Sequence, residues 1–152
     1  ITSEFFNVKI HLATDHAGLE LKTSIKDYLI NKGNEVTDHG AYEYDALDDY
    51  PDFIFPCARA VASDPLSRGI ILGGSGQGEA MAANRVKGVR AAVFYNGPID
   101  IIKLSREHNN ANILSIGARF MSEDEIRGVL DVWFNEPFGG GRHQRRIDKL
   151  DL

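Results

Sequence analysis

The chain has 152 residues, enough for one domain with a buried core and no need of cross-links. Its net charge of −5 excludes a general nucleic-acid binder, which needs a broad basic face. One cysteine, Cys57, excludes an internal disulfide framework and suits a reducing compartment. No apolar run approaches the roughly 18 residues of a membrane span, and no signal peptide is visible. A soluble cytoplasmic protein is the expectation, although the chain begins at Ile1 rather than Met, which leaves a removed leader open.

Short apolar runs alternate with segments of helical period, the pattern of an α/β domain with a parallel sheet. The run from Val8 to Ala13 reads as the first strand, ending at Thr14-Asp15-His16-Ala17-Gly18. A helix follows with Leu21, Ile25, Tyr28 and Leu29 on one face, and Gly33 stops it. Glu35 to Asp38 is a short strand, and His39 to Tyr50 a polar loop holding Glu43, Asp45, Asp48 and Asp49. Pro51 opens a helix on which Ile54, Ala58 and Val61 recur.

Gly69 to Leu72 is continuously apolar, as in a central strand covered on both faces. It runs into Gly73-Gly74-Ser75-Gly76-Gln77-Gly78 and then the helix formers Glu79 to Ala83. Arg90 to Phe94 is the fourth strand, Ile99 to Glu107 a helix, and Asn112 to Ile116 the fifth strand. Ser122 and Glu125 form a capping box for a helix carrying Ile126, Leu130 and Trp133. Gly139-Gly140-Gly141 then breaks the chain before a basic tail, Arg142 to Lys149. That tail is too short for a core of its own, so it lies back on this domain or reaches a neighbouring subunit.

In open parallel sheets ligands bind beyond the carboxyl ends of the strands. The expectation is that Asp15-His16, Gly73 to Glu79, His108-Asn109 and Arg119 converge on one rim. Four glycines in six residues let the backbone approach a ligand, and the N–H groups opening the next helix favour negative charge. The run is neither a Walker A motif nor the dinucleotide fingerprint, because position 79 is glutamate and no Gly-Lys-Ser/Thr follows. Glu79 reads either as a complement to the helix dipole or as a general base whose product charge the N–H groups of Gly74 to Gly78 receive.

His108 reads as a helix-end cap or a catalyst, and Asp15-His16 as turn chemistry or a site. No His-Glu-x-x-His or paired-cysteine spacing supports zinc, so no metal is expected. Arg142 and Arg146 share a face if the tail is helical, and guanidinium groups match phosphate oxygens in pairs. Cys57 reads as core packing.

Four motifs in this order resemble the type B ribose-5-phosphate isomerases, whose superfamily includes galactose-6-phosphate and allose-6-phosphate isomerases. They are Ala13 to Gly18; Gly73 to Glu79 with Ala82-Ala83-Asn84; Arg106 to Asn110; and Gly141 to Arg146. The resemblance spans about Val8 to Lys149. It implies a three-layer α/β/α sandwich with a five-stranded parallel Rossmann-like sheet, free of metal and organic cofactor. It also implies a homodimer, in some members a dimer of dimers, acting on a phosphorylated sugar.

By resemblance, Glu79 is the base that moves a proton between C2 and C1 through an enediolate. Many members use a cysteine at the strand end, where this chain has Gly73; that departure places the chain in the glutamate-using branch. His108, with Asp15 beside it, resembles the acid that opens the sugar ring. Gly74, Ser75, Gly76, Gln77 and Gly78 resemble the anion hole, Asn109 a ligand contact, and Arg119, Arg142 and Arg146 the phosphate clamp. Asp15 and His16 line the pocket, and Tyr50 is a further candidate at the sugar. In the family the counterparts of Arg142, His143 and Arg146 come from the other subunit. A six-carbon sugar phosphate as substrate, and a non-catalytic phosphometabolite-binding module, are the alternatives.

Overall fold

A computed structural model describes residues 5–151. Five strands form one parallel sheet: β1 (Lys9–Thr14), β2 (Glu35–Asp38), β3 (Arg68–Gly73), β4 (Ala91–Phe94) and β5 (Ile113–Gly117), in the order β2-β1-β3-β5-β4. Six helices accompany them: α1 (Leu19–Asn31), α2 (Pro51–Ser63), α3 (Gln77–Ala83), α4 (Asp100–Glu107), α5 (Glu123–Asn135) and α6 (Arg142–Ile147).

Alternation along the strands divides the core into two layers, because successive side chains point to opposite faces. Ile10 and Leu12, Ile70 and Leu72, and Leu114 and Ile116 meet Ile25, Leu29, Ile102, Ile126, Leu130 and Trp133 of α1, α4 and α5. Ala13, Ile71 and Ile113 face Ile54, Cys57, Ala58 and Val61 of α2 and Ala82 and Ala83 of α3. Helices on both faces bury the central strands, which is why β3 reads as the continuous apolar run Ile70-Ile71-Leu72 and why the polar residues His11, Thr14 and Ser115 of β1 and β5 are buried as well.

The expected elements are present with small shifts. The strand expected at Val8–Ala13 pairs as Lys9–Thr14, and that expected at 69–72 extends to Arg68–Gly73. Pro51 sits in the first turn of α2, and the capping box of Ser122 and Glu125 is closed in both directions.

The chain leaves β1 toward β2 on one side and β3 toward β5 on the other. Between the carboxyl ends of β1 and β3 a crevice therefore opens, the usual ligand position in such sheets. Thr14 Oγ donates to the Leu72 carbonyl at 3.0 Å and locks the two strand ends together there. Among the described residues no helix is long and apolar enough to cross a membrane.

Candidate active site

The crevice gathers the turns after β1, β3 and β5. Asp15 caps the short 3-10 turn His16–Gly18, its Oδ1 accepting from the Ala17 N–H at 2.9 Å. After β3 the chain passes through Gly76 at φ +77°, where a Cβ would press on the Ile116 carbonyl carbon at 3.0 Å. Glycine there is a requirement of the backbone. The buried Ser115 hydroxyl donates to the Gly76 carbonyl at 2.6 Å and ties the turn to β5. Ser75 Oγ accepts from the Gln77 N–H at 3.3 Å, closing the start of α3.

Glu79, on the first turn of α3, is 5% exposed. Its carboxylate lies over Gly73, in the volume that a side chain at that strand end would fill. Burial pushes its pKa above the ordinary carboxylate value and the nearby Asp15 adds to the rise, while its own backbone N–H opposes both. The position of Glu79 at a helix start does not lower its pKa below the ordinary carboxylate value. Desolvation wins, and the result is a stronger base.

Two further groups wall the crevice. The Arg119 N–H donates to the Gly74 carbonyl at 3.1 Å, and its guanidinium lies over Gly74, where Cζ would be 3.0 Å from an added Cβ. Tyr50 lies against Gly78 in the same way, its hydroxyl 2.8 Å from an added Cβ. Small residues at 74 and 78 thus admit an arginine and a tyrosine onto the turn itself. His16 pairs through Nδ1 with Asp48 Oδ1 at 2.6 Å. Asp15, His16 and Asp48 each bring one ligand-type atom within 4.8 Å of the others. These groups are already engaged, His16 with Asp48 and Asp15 with the Ala17 N–H, so the trio is an ion-paired cap.

His108 and Asn109 are not on this rim, and here the expected convergence fails. His108 ends α4, and α4 runs back along the sheet from the end of β4 to the start of β5. The turn that does follow β4 is Tyr95 to Ile99, so the helix carries His108 to the amino edge. A five-residue strand separates the two edges by about 16 Å, and within one chain His108 is not beside Asp15.

At that amino edge His108 meets the tail instead. The His143 ring stacks on His108 with centroids 4.2 Å apart, and the Gly139 N–H donates to the Glu107 carbonyl at 2.9 Å. His108, Asn109, Arg142, His143 and Arg146 line a cavity of about 260 Å³. Arg142 and Arg146 share α6, one turn apart. Burial lowers the His143 pKa, with the charges of His108, Arg142 and Arg146 acting in the same direction and Glu107 opposing them. Arg119, Arg142 and Arg146 make no ion pair with a carboxylate among the described residues. Cys57 lies deep under α2, where burial raises its pKa steeply and leaves it an unreactive thiol.

The candidate residues thus form two groups: a base with a glycine turn at the carboxyl edge, and a cationic patch at the amino edge. Sequence reasoning passed over Asp48 and Ser115, because an acidic loop and a strand serine carry no periodic or motif signal. The fold and the rim define an α/β protein with a switch-point crevice, the usual ligand position in such sheets, and a buried carboxylate beside it. The chain belongs to the ribose/galactose isomerase family, whose sequence pattern matches residues 10–150.

Among its relatives, the ribose-5-phosphate isomerase B of Mycobacterium tuberculosis is 44% identical over 144 residues, 94% of this chain and 88% of that protein. The crystal structure of ribose-5-phosphate isomerase B from Mycoplasma genitalium, with ribulose-5-phosphate bound, superposes with a TM-score of 0.90 at 42% identity, covering 96% of this chain and 95% of that one. The Thermotoga maritima ribose 5-phosphate isomerase superposes at 0.88 with 44% identity, covering 95% and 97%.

Proposed function

We propose that this protein interconverts ribose 5-phosphate and ribulose 5-phosphate, with Glu79 as the base. The observation that carries this reading is the Glu79 carboxylate, buried over Gly73 beside the glycine turn that opens α3. Glu79 takes the proton from C2 of the open-chain aldose. The electron pair moves into a C1–C2 enediolate whose oxygen charge the turn from Gly74 to Gly78 receives; a proton passes from the C2 hydroxyl to the C1 oxygen, and the proton held by Glu79 returns to C1. No oxidant or net proton is needed, which matches a site built from a carboxylate and amides.

The cationic patch supplies what the rim lacks. In a two-fold dimer every contact occurs twice, so if the amino edge of one subunit meets the carboxyl edge of the other, both rims are completed in the same way. The reading is that His108, Asn109, Arg142, His143 and Arg146 act on the partner's rim, His108 as the acid that opens the sugar ring. Arg142 and Arg146, which have no carboxylate partners among the described residues, join Arg119 and His16 on the phosphate. A homodimer has two such shared sites, and a dimer of dimers four, and the reaction so drawn calls on neither metal nor organic cofactor. The unpaired Cys57 suits a cytoplasmic setting.

The test is NMR in deuterated water with ribose 5-phosphate and catalytic amounts of protein. Ribulose 5-phosphate with deuterium at the transferred position is the expected result. Exchange only with six-carbon sugar phosphates would change the substrate, and no exchange with either would leave a binding module.

A further inference from the structure

The acidic loop before α2 is ordered by its own backbone: the Asp48 N–H donates to the Asp45 carbonyl at 3.0 Å, and Asp45 Oδ1 accepts from the Leu47 N–H at 3.0 Å. This turn lowers Asp48 onto the rim, where its side chain is only 7% exposed. Asp48 Oδ1 takes both His16 Nδ1, at 2.6 Å, and the His16 N–H, at 3.3 Å. Asp48 Oδ2 is buried with no hydrogen-bond partner among the described residues. A carboxylate this buried needs a cation, and the only cationic side chain it meets among the described residues is His16.

We propose that Asp48 is a positioning residue: it fixes the His16 ring by Nδ1 and holds it as an imidazolium, so that Nε2–H is presented to the phosphate of the substrate. This rests on the reading above in which His16 meets phosphate. The charged and titratable groups around His16 set the balance. Asp48 and Asp15 favour the cation, and Arg119 on the turn after β5 opposes it, as does partial burial. Tyr44 packs its ring edge-on to His16 at 5.9 Å, and Glu20 of α1 and Glu123 of α5 line the same cavity of about 500 Å³. His16 therefore has one ring nitrogen against a buried carboxylate while part of the ring borders open space. A neutral His16 offers phosphate a donor or a lone pair according to tautomer, whereas the imidazolium always offers a donor and a charge.

Asp48→Asn keeps the shape of the side chain and removes its charge. The test is an NMR titration of the His16 imidazole in both proteins, with and without inorganic phosphate, alongside the pH dependence of KM and kcat for ribose 5-phosphate. In the wild type His16 titrates above the ordinary imidazole value, phosphate raises the midpoint further, and KM stays level from pH 6 to 8. In Asp48→Asn the midpoint returns to about 6.5, and KM rises about fivefold between pH 6.5 and 7.5 while kcat changes less than twofold. Asp48→Glu, which keeps the charge, restores most of the wild-type profile.

Three results would overturn the proposal: an unchanged His16 midpoint in folded Asp48→Asn, a KM raised equally at every pH, or a loss confined to kcat. Absence of turnover in the wild type would instead sink the isomerase reading, and the phosphate titration would still decide the role of Asp48.

Discussion

The Glu79 carboxylate occupies the space that any side chain at Gly73 would need; a Cβ added there falls on Oε1 and Cδ. The strand end and the Glu79 carboxylate are therefore one steric unit, although five residues lie between them. Gly73→Ala is expected to expel the carboxylate and cut kcat about a hundredfold or more, since a misplaced base loses most of its advantage. Both groups lie at the rim, so thermal unfolding should move far less than activity. Wild-type turnover in Gly73→Ala would show that Glu79 does not react from this position.

Glu79→Gln removes the carboxylate proposed as the base and keeps its volume. Turnover should fall by about three orders of magnitude, read by the same deuterium exchange. In the wild type, burial raises the folded pKa of Glu79 above its unfolded value. Its contribution to stability is then fully present below the ordinary carboxylate range and is lost as pH rises through the folded pKa. Glu79→Gln should accordingly be more stable than the wild type at pH 7, with the gap closing below about pH 4. Activity should show the opposite trend, with an acidic limb above the ordinary carboxylate value. Thermal scans at several pH values check the first part and a pH–rate profile the second.

If the amino-edge patch serves the partner's rim, two inactive chains should rescue each other. Glu79→Gln and a His108→Ala, Arg142→Ala double variant, unfolded together and refolded as an equal mixture, are expected to regain about a quarter of wild-type sites. The mixed dimers carry one site with every defect and one with none. No recovery, with mixed dimers demonstrated by mass spectrometry, would refute a shared site.

Ser115 sits fully buried in β5 and holds the glycine turn by the Gly76 carbonyl. Ser115→Ala leaves that carbonyl without its donor and should cost about 1–2 kcal/mol of stability in urea unfolding. Because the same bond shapes the turn proposed to receive the enediolate charge, kcat/KM should fall as well. A destabilised protein with undiminished kcat/KM would mean that the turn holds its shape without β5.

The order of elements was legible because each carries a local signal. Apolar runs from 69 to 72 and 112 to 116 are long enough for buried strands. Pro51 and the pair Ser122–Glu125 mark helix starts by their own chemistry. The glycines at 73 to 78 announced a close backbone approach, and that is where Glu79, Arg119 and Tyr50 crowd in. What misled was proximity along the chain: His108 follows the fourth strand, so it was placed with the rim, but an intervening helix reverses direction and carries its last residue to the far edge. Asp48 was visible only as one of four acidic residues in a loop, since nothing local says which of them turns inward.

By itself the sequence determined the alternation of strand and helix, the position of the glycine turn and the family's motifs, because these depend on residues within a few positions of one another. Only the tertiary structure decided which groups share a site. It set Glu79 over Gly73, paired Asp48 with His16, and parted His108 from Asp15. Such pairings depend on strand order and helix direction, and on the desolvation that makes one carboxylate a base and leaves another needing a cation.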